Sequence, residues 1–205
     1  VMLMVDVGEI NAAVDAGITQ PIKSNFVDKT VPAQLRPDNN WVTLTKRARV
    51  VVVSKERVKQ DAITYEDLAD PKWKGKFCIR AGQHPYNNAL FAAYLAHHGA
   101  DKTETYLKAL RANAARKPGG GDRDVARDIQ SGLCDIAIIN TYYIGLMSEA
   151  KNEQKGWFDA IKPLKTSFAG GGTHVNVSAA ALAKNAPNKE NAVKLVEYML
   201  GDKAQ

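Results

Sequence analysis

Apolar positions in this chain change period repeatedly, from short continuous runs to three-and-four spacing and back. "VMLMVDV" opens the chain as a short apolar run and reads as a buried strand. "GEINAAVDAG" follows, with Ile10, Ala13 and Val14 at helical spacing before a glycine stop. Residues 20–41, "QPIKSNFVDKTVPAQLRPDNNW", are dense in turn formers and read as irregular surface. "RARVVVVS", residues 47–54, is a strand whose valine run suggests burial on both faces. "TYEDLADPKWKGK" predicts a helix, because Thr64 stands three residues before Asp67 and Pro71 and Gly75 close it.

The second half repeats the alternation more clearly. "FCIRAGQHPYNNALFAAYLAHHG" predicts strand, loop and a helix from about Pro85 to His98 stopped by Gly99. "KTETYLKALRANAA" and "RDVARDIQSG" predict two further helices, separated by the flexible "KPGGGD". "LCDIAIIN" predicts a strand and "TYYIGLMSEAK" the helix after it. "WFDAIKPLKTSFAGGGTHVNVSAAALAKNAP" reads as short strands around a glycine-rich turn. The closing "NKENAVKLVEYMLGDKAQ" is an amphipathic helix with Ala192, Leu195, Val196 and Met199 on one stripe. Strands alternating with helices imply an α/β fold with parallel sheets.

Two stretches share one layout. Cys78 begins a strand and Tyr86 lies at the helix start beyond it; Cys134 and Tyr142 repeat the arrangement, and the two tyrosines are 56 residues apart. If the two strands are parallel neighbours, both cysteines lie near the amino ends of the sheet. Tyr86, Tyr142 and Tyr143 then gather beyond its carboxyl ends, where open α/β sheets bind ligands. Strand spacing of about 4.8 Å is compatible with a Cys78–Cys134 disulfide, with two free buried thiols as the alternative. A tyrosine pair after a strand is commonly packing. Three phenols together are also hard oxygen ligands, and a trivalent cation favours the phenolate over a neutral phenol of pKa near 10. Helix amino ends help to hold phenolate and could receive a small anion. A tyrosine-rich, cysteine-free set points to Fe(III) rather than zinc.

Composition narrows the alternatives. The 205 residues suffice for one large domain or two small lobes. No stretch approaches the roughly 18 apolar residues of a membrane span. Basic and acidic residues number 28 and 22, for a net charge of +6, but they are scattered rather than clustered, so nucleic acid is not an expected partner. The two cysteines lack metal-ligand spacing. No carboxylate pair or activated nucleophile suggests an enzyme, and "AGGGT" lacks the lysine of a phosphate loop.

The phrases "RARVVVVSKERV", "YEDLADPKWKGKFCIR", "YNNALFAAYLAHHG", "LCDIAIINTYY" and "GGGTHVNVSAAALAKNAPNKENAVKLVEYML" together resemble the periplasmic ferric-iron-binding proteins of bacterial ABC importers, in order along the whole chain. The resemblance implies a type II periplasmic-binding-protein fold, two α/β lobes joined by hinge strands that close over Fe(III). It implies that Tyr86, Tyr142 and Tyr143 are iron ligands. It also implies a monomer outside the cytoplasmic membrane, periplasmic or membrane-anchored, that delivers iron to a membrane permease. That family draws further ligands, a tyrosine and often a histidine, from an earlier strand–helix segment of the other lobe. The sequence is therefore expected to be part of a longer chain, with that segment and any export signal upstream of Val1. One lobe is expected over 54–155, carrying the tyrosines, and an incomplete one over 1–53 with 156–205.

Arg47, at the start of the valine strand, is the candidate to pair with a carbonate-like synergistic anion, because guanidinium recognises planar oxyanions in bidentate fashion; Arg49 is a weaker candidate, with a hinge salt bridge as the other reading. Asn140 and Thr141 are expected to cap the helix of the tyrosine pair, to bond the anion, or both. His84 and His174 are lesser ligand candidates, whereas His97 and His98 suit the negative end of their helix. The same fold also binds oxyanions or polyamines, which remain the alternative solutes.

Overall fold

A computed structural model describes all residues, Val1–Gln205. In chain order the elements are β1 (Met2–Met4), α1 (Val7–Asp15), β2 (Thr19–Gln20), α2 (Asn25–Thr30), β3 (Val42–Ser54), β4 (Ala62–Thr64), β5 (Phe77–Cys78), α3 (Pro85–His98) and α4 (Ala100–Asn113). They continue with α5 (Asp122–Gln130), β6 (Ile136–Asn140), α6 (Thr141–Ser148), α7 (Gln154–Ala160), β7 (Ile161–Pro163), β8 (Lys165–Ser167), β9 (Val175–Ala183) and α8 (Lys189–Leu200). Two compact units emerge. One is Val1–Lys46 with Asn176–Gln205; the other is Arg47–Val175.

The expected boundaries near residues 53 and 155 both fall inside the second unit. The reason is hydrogen bonding. Arg49–Val53 of β3 pair with β6, and Val52–Ser54 pair with β7. Further along, β8 pairs with β4. Residues 47–53 and 156–175 are thus tied into the same unit as the tyrosines.

In that unit the strands pack on both faces. Side chains alternate across a strand, so Val51 and Val53 join Ile136 and Ile138 against Leu90, Tyr94, Tyr106 and Leu110 of α3 and α4. Val52, Ala137 and Ile139 face the other way, against Val125 and Ile129 of α5, Met147 of α6 and Trp157 of α7. This explains the unbroken apolar runs: a strand covered on both faces has no polar side. The sheet is mixed rather than parallel. β5 and β6 are parallel, with Cys78 opposite Ala137, but β3 runs antiparallel to β6 and to β7. Cys78 and Cys134 form a disulfide, with Cα atoms 6.0 Å apart.

The segment "TYEDLADPKWKGK" forms two single turns of 3-10 helix, Glu66–Ala69 and Pro71–Trp73. The start signal works as expected: Asp67 N–H donates to Thr64 Oγ1 and Thr64 N–H to Asp67 Oδ2. Pro71 then pushes Asp70 into an extended conformation (ψ 130°), and the helix cannot propagate.

In the first unit, β1 and β2 each pair antiparallel with β9. Ile22, Val27, Val42, Ala180, Leu182 and Val196 make the main core there. β1 is a strand, but Leu3 points outward and is 63% exposed, so it is not buried on both faces. The stretch 20–41 is less irregular than its turn formers suggest: Ser24 caps α2 by accepting the Val27 N–H at 3.1 Å, and Val27 is buried. In α8 the buried stripe centres on Val196 and Leu200, leaving Leu195 exposed. α7 was not expected.

The disulfide closes 56 residues, and cross-linking the unfolded chain over that span is worth about 4 kcal/mol. A Cys78→Ala, Cys134→Ala double variant should lose about that much unfolding free energy in a denaturant titration. An unchanged midpoint would show that the pairing contributes nothing.

Candidate metal centre

β5 and β6 are parallel neighbours, so the helices that follow them begin at the same edge of the sheet. Pro85 starts α3, where its missing N–H costs nothing. His84 caps that helix, its Nδ1 accepting the Tyr86 N–H at 3.2 Å, and its ring packs edge-on against Tyr86. α6 begins at Thr141, directly after β6. Tyr86 and Tyr142 therefore converge from two helix starts. The Tyr142 hydroxyl donates to the Tyr86 hydroxyl at 3.3 Å. The Tyr142 and Tyr143 rings lie 4.2 Å apart, centroid to centroid. All three phenols are in one place.

Guanidinium groups surround them. Arg47 and Arg80 each lie over the Tyr86 ring, 4.8 and 5.0 Å from its centroid, and Arg123 lies 5.9 Å from that of Tyr143. Below the phenols is a buried network. Arg49 donates from Nη1 to Asp122 Oδ2 (3.0 Å) and Asn140 Oδ1 (3.1 Å), and from Nη2 to Asn87 Oδ1 (2.6 Å). Arg80 Nη1 donates to Asp122 Oδ1 at 3.2 Å. The Asn140 N–H donates to Asp122 Oδ2 at 2.7 Å. Tyr65 donates to the Arg49 carbonyl and accepts the His174 N–H.

The other expected residues resolve one by one. Asn140 occupies the cap position of α6, but its side chain makes no cap bond and instead accepts from Arg49. Thr141 Oγ1 accepts the Ala48 N–H at 3.2 Å, tying α6 to β3. His174 stands by its backbone beside Arg49 and Tyr65. His98 pairs with Glu66 and His97 packs on Phe168, both away from the phenols. Arg80, Asn87 and Asp122 were missed. Their signal was weak: Arg80 follows the strand of Cys78, Asn87 follows Tyr86, and Asp122 begins a helix where acidic residues are common.

Electrostatically, burial first, and then hydrogen bonds with the Tyr143 and Tyr86 hydroxyls and their charge, push the Tyr142 pKa well above the ordinary phenol value. Burial similarly raises Tyr65, to about 12. Burial also pulls Arg49 down, opposed by Asp122 beside it. No group of three or more His, Cys, Asp or Glu side chains is placed to hold a metal ion. The phenols are the clustered oxygen donors.

This fold, with ligand-type side chains at the carboxyl edge of a mixed sheet, is that of a type II periplasmic binding protein. Residues 2–205 match the family of bacterial extracellular solute-binding proteins, and the chain belongs to that family. It is 39% identical to iron uptake protein A1 of Synechocystis over 208 residues, covering 100% of this chain and 58% of that protein. It resembles the Bordetella ferric binding protein at 53% identity and a TM-score of 0.90, covering 99% of this chain and 65% of that one. A Trichodesmium protein solved with iron and citrate ligands is 38% identical, with a TM-score of 0.90 over 98% of this chain and 65% of its own. The chain thus spans about three-fifths of the length of these relatives.

A group whose folded-state pKa is raised stabilises the fold below its unfolded pKa, and that contribution is lost as pH rises toward the folded value. Tyr65 and Tyr142 are such groups, so unfolding free energy should fall as pH climbs from about 10 to 12. Alkaline titration of phenolate absorbance should show a late component, shared with buried Tyr65 and Tyr106, that Tyr142→Phe reduces by one phenol. If all phenols of the folded protein titrate together near their ordinary value, this description of the site is wrong.

Proposed function

We propose that this chain supplies the tyrosine ligands by which an extracellular solute-binding protein captures Fe(III). Tyr86, Tyr142 and Tyr143 bind the ion as phenolates, and the protein delivers it, on the periplasmic side, to the permease of an ABC importer. One observation carries this reading: two hydroxyls 56 residues apart in sequence meet at 3.3 Å, on two helix starts, beside a third phenol. Core packing does not require partly exposed phenol oxygens to face one another. The relatives named as iron uptake and ferric binding proteins agree with it.

The chemistry follows from charge. Without the ion, Tyr142 resists ionisation first because its surroundings are partly dry and then because its neighbours are also phenols. A trivalent cation among the three oxygens reverses the balance, since ionised hard oxygens are its preferred ligands. Binding then releases protons, and affinity falls with falling pH. Arg47 and Arg80, stacked on Tyr86, and the buried donors Arg80 Nε and Asn140 Nδ2, which lack protein partners, favour an oxyanion as co-ligand of the iron. Carbonate and carboxylates have the planar geometry that guanidinium recognises. The same arginines favour the second reading, in which an oxyanion is the solute by itself.

Ferric ion, supplied as its nitrilotriacetate chelate, should produce a visible phenolate-to-iron charge-transfer band. The band should weaken on acidification and disappear in a Tyr142→Phe, Tyr143→Phe double variant. Absence of any band, with calorimetric binding of an oxyanion alone, would replace the iron reading by the second one.

A further inference from the structure

Asp122 is fully buried, yet it is not a candidate ligand: both of its oxygens are already used by the protein. Oδ2 accepts the Asn140 N–H, two residues before Tyr142, at the start of α6. Oδ1 accepts from Arg80, whose guanidinium lies over the Tyr86 ring. Arg49, held by Oδ2, reaches Asn87, the neighbour of Tyr86 on α3, and Asn140 on β6. One carboxylate therefore connects to both phenol-bearing helix starts by short paths. It is also the only acidic side chain bonded to Arg49 and Arg80, so two buried cations share one buried anion. Removing a partner from a buried charge network is costly because it strands the charges that remain.

We propose that Asp122 is a positioning residue: it sets the spacing of the Tyr86 and Tyr142 oxygens and offsets one of the two positive charges behind them. This rests on the iron reading for its functional consequence, though not for its geometry. Loss of the carboxylate charge frees Arg80 from its anchor and lets the Tyr86 ring shift with it, while the Asn140 N–H loses its charged acceptor. Groups that orient metal ligands from behind are commonly worth 10–100-fold in affinity.

The test uses Asp122→Asn, which preserves shape, and Arg80→Lys, which cuts only the arm toward Tyr86 and keeps the charge. Asp128→Asn is the control, since Asp128 lies on the same helix and pairs with Arg116 away from the phenols. Three readouts are taken: thermal unfolding, ferric affinity with the position of the charge-transfer band, and the fluorine NMR shifts of fluorotyrosine at positions 86 and 142 in iron-free protein. In Asp122→Asn the fluorotyrosine resonances should move, the band should shift, and ferric affinity should fall roughly 10–100-fold. Arg80→Lys should move the position-86 resonance most, and Asp128→Asn should leave band and resonances in place. If the parent protein shows no charge-transfer band, the iron reading fails, and the resonances of the iron-free variants alone decide the positioning role. Folded Asp122→Asn or Arg80→Lys protein that is merely less stable, with unmoved resonances and an unmoved band, overturns the proposal.

Discussion

Two arginines buried at one edge of a sheet must share a single carboxylate. Isolated charges in a protein interior cost several kcal/mol each, so Arg49 and Arg80 tolerate burial only while Asp122 lies between them. That requirement fixes several things at once. It holds the end of β6 against the start of α5, since Asp122 also takes the Asn140 N–H. It places Asn87 and hence the first turn of α3. It sets a guanidinium on the Tyr86 ring. The cores on the two faces of the sheet would tolerate many apolar substitutions; this polar junction would not, because each donor there has few alternative acceptors.

Seen from the junction, the chemistry of the phenols has a simple logic. Neutral tyrosines can sit close together without strain, as the 3.3 Å contact between Tyr86 and Tyr142 shows. Ionising Tyr142 is unfavourable, first because it is partly buried, then because it hydrogen-bonds with the Tyr143 and Tyr86 hydroxyls and would repel their charge. On the proposed reading, the cluster stays neutral without a cation and becomes anionic when one binds. Arg47 and Arg80 lie over the Tyr86 ring, where their charge would favour the oxyanion proposed as co-ligand. A divalent ion would offset less of the phenolate charge, which is why the proposed cargo is a trivalent one.

Much of this was legible in the sequence, for identifiable reasons. α3 runs over Pro85–His98 as its proline start and glycine stop predict, and β6 lies where "LCDIAIIN" places it. The strands that carry the repeated cysteine-to-tyrosine spacing, β5 and β6, are parallel neighbours. Of the two readings left open for the cysteines the disulfide is the one formed, although Cys78 ends β5 and Cys134 precedes β6 rather than each beginning a strand. Residues were misjudged where a tertiary partner overrode a local signal. Asn140 has the type and position of a cap, yet Arg49, distant in sequence, claims its side chain. The helix expected after Thr64 gave way to two 3-10 turns because Pro71 interrupts it. Unit boundaries eluded composition because β3 and β9 run through both units without a linker. Asp122 could not be picked out from its setting, since an acidic residue at a helix start is ordinary on the surface and here is entirely buried.

On the proposed reading, one ferric ion sits among the oxygens of Tyr86, Tyr142 and Tyr143. Crystals of the iron-loaded protein, measured on both sides of the iron absorption edge, test it most directly. A single strong anomalous peak is expected within bonding distance of all three phenol oxygens. A peak elsewhere, or one touching none of the three, would contradict it.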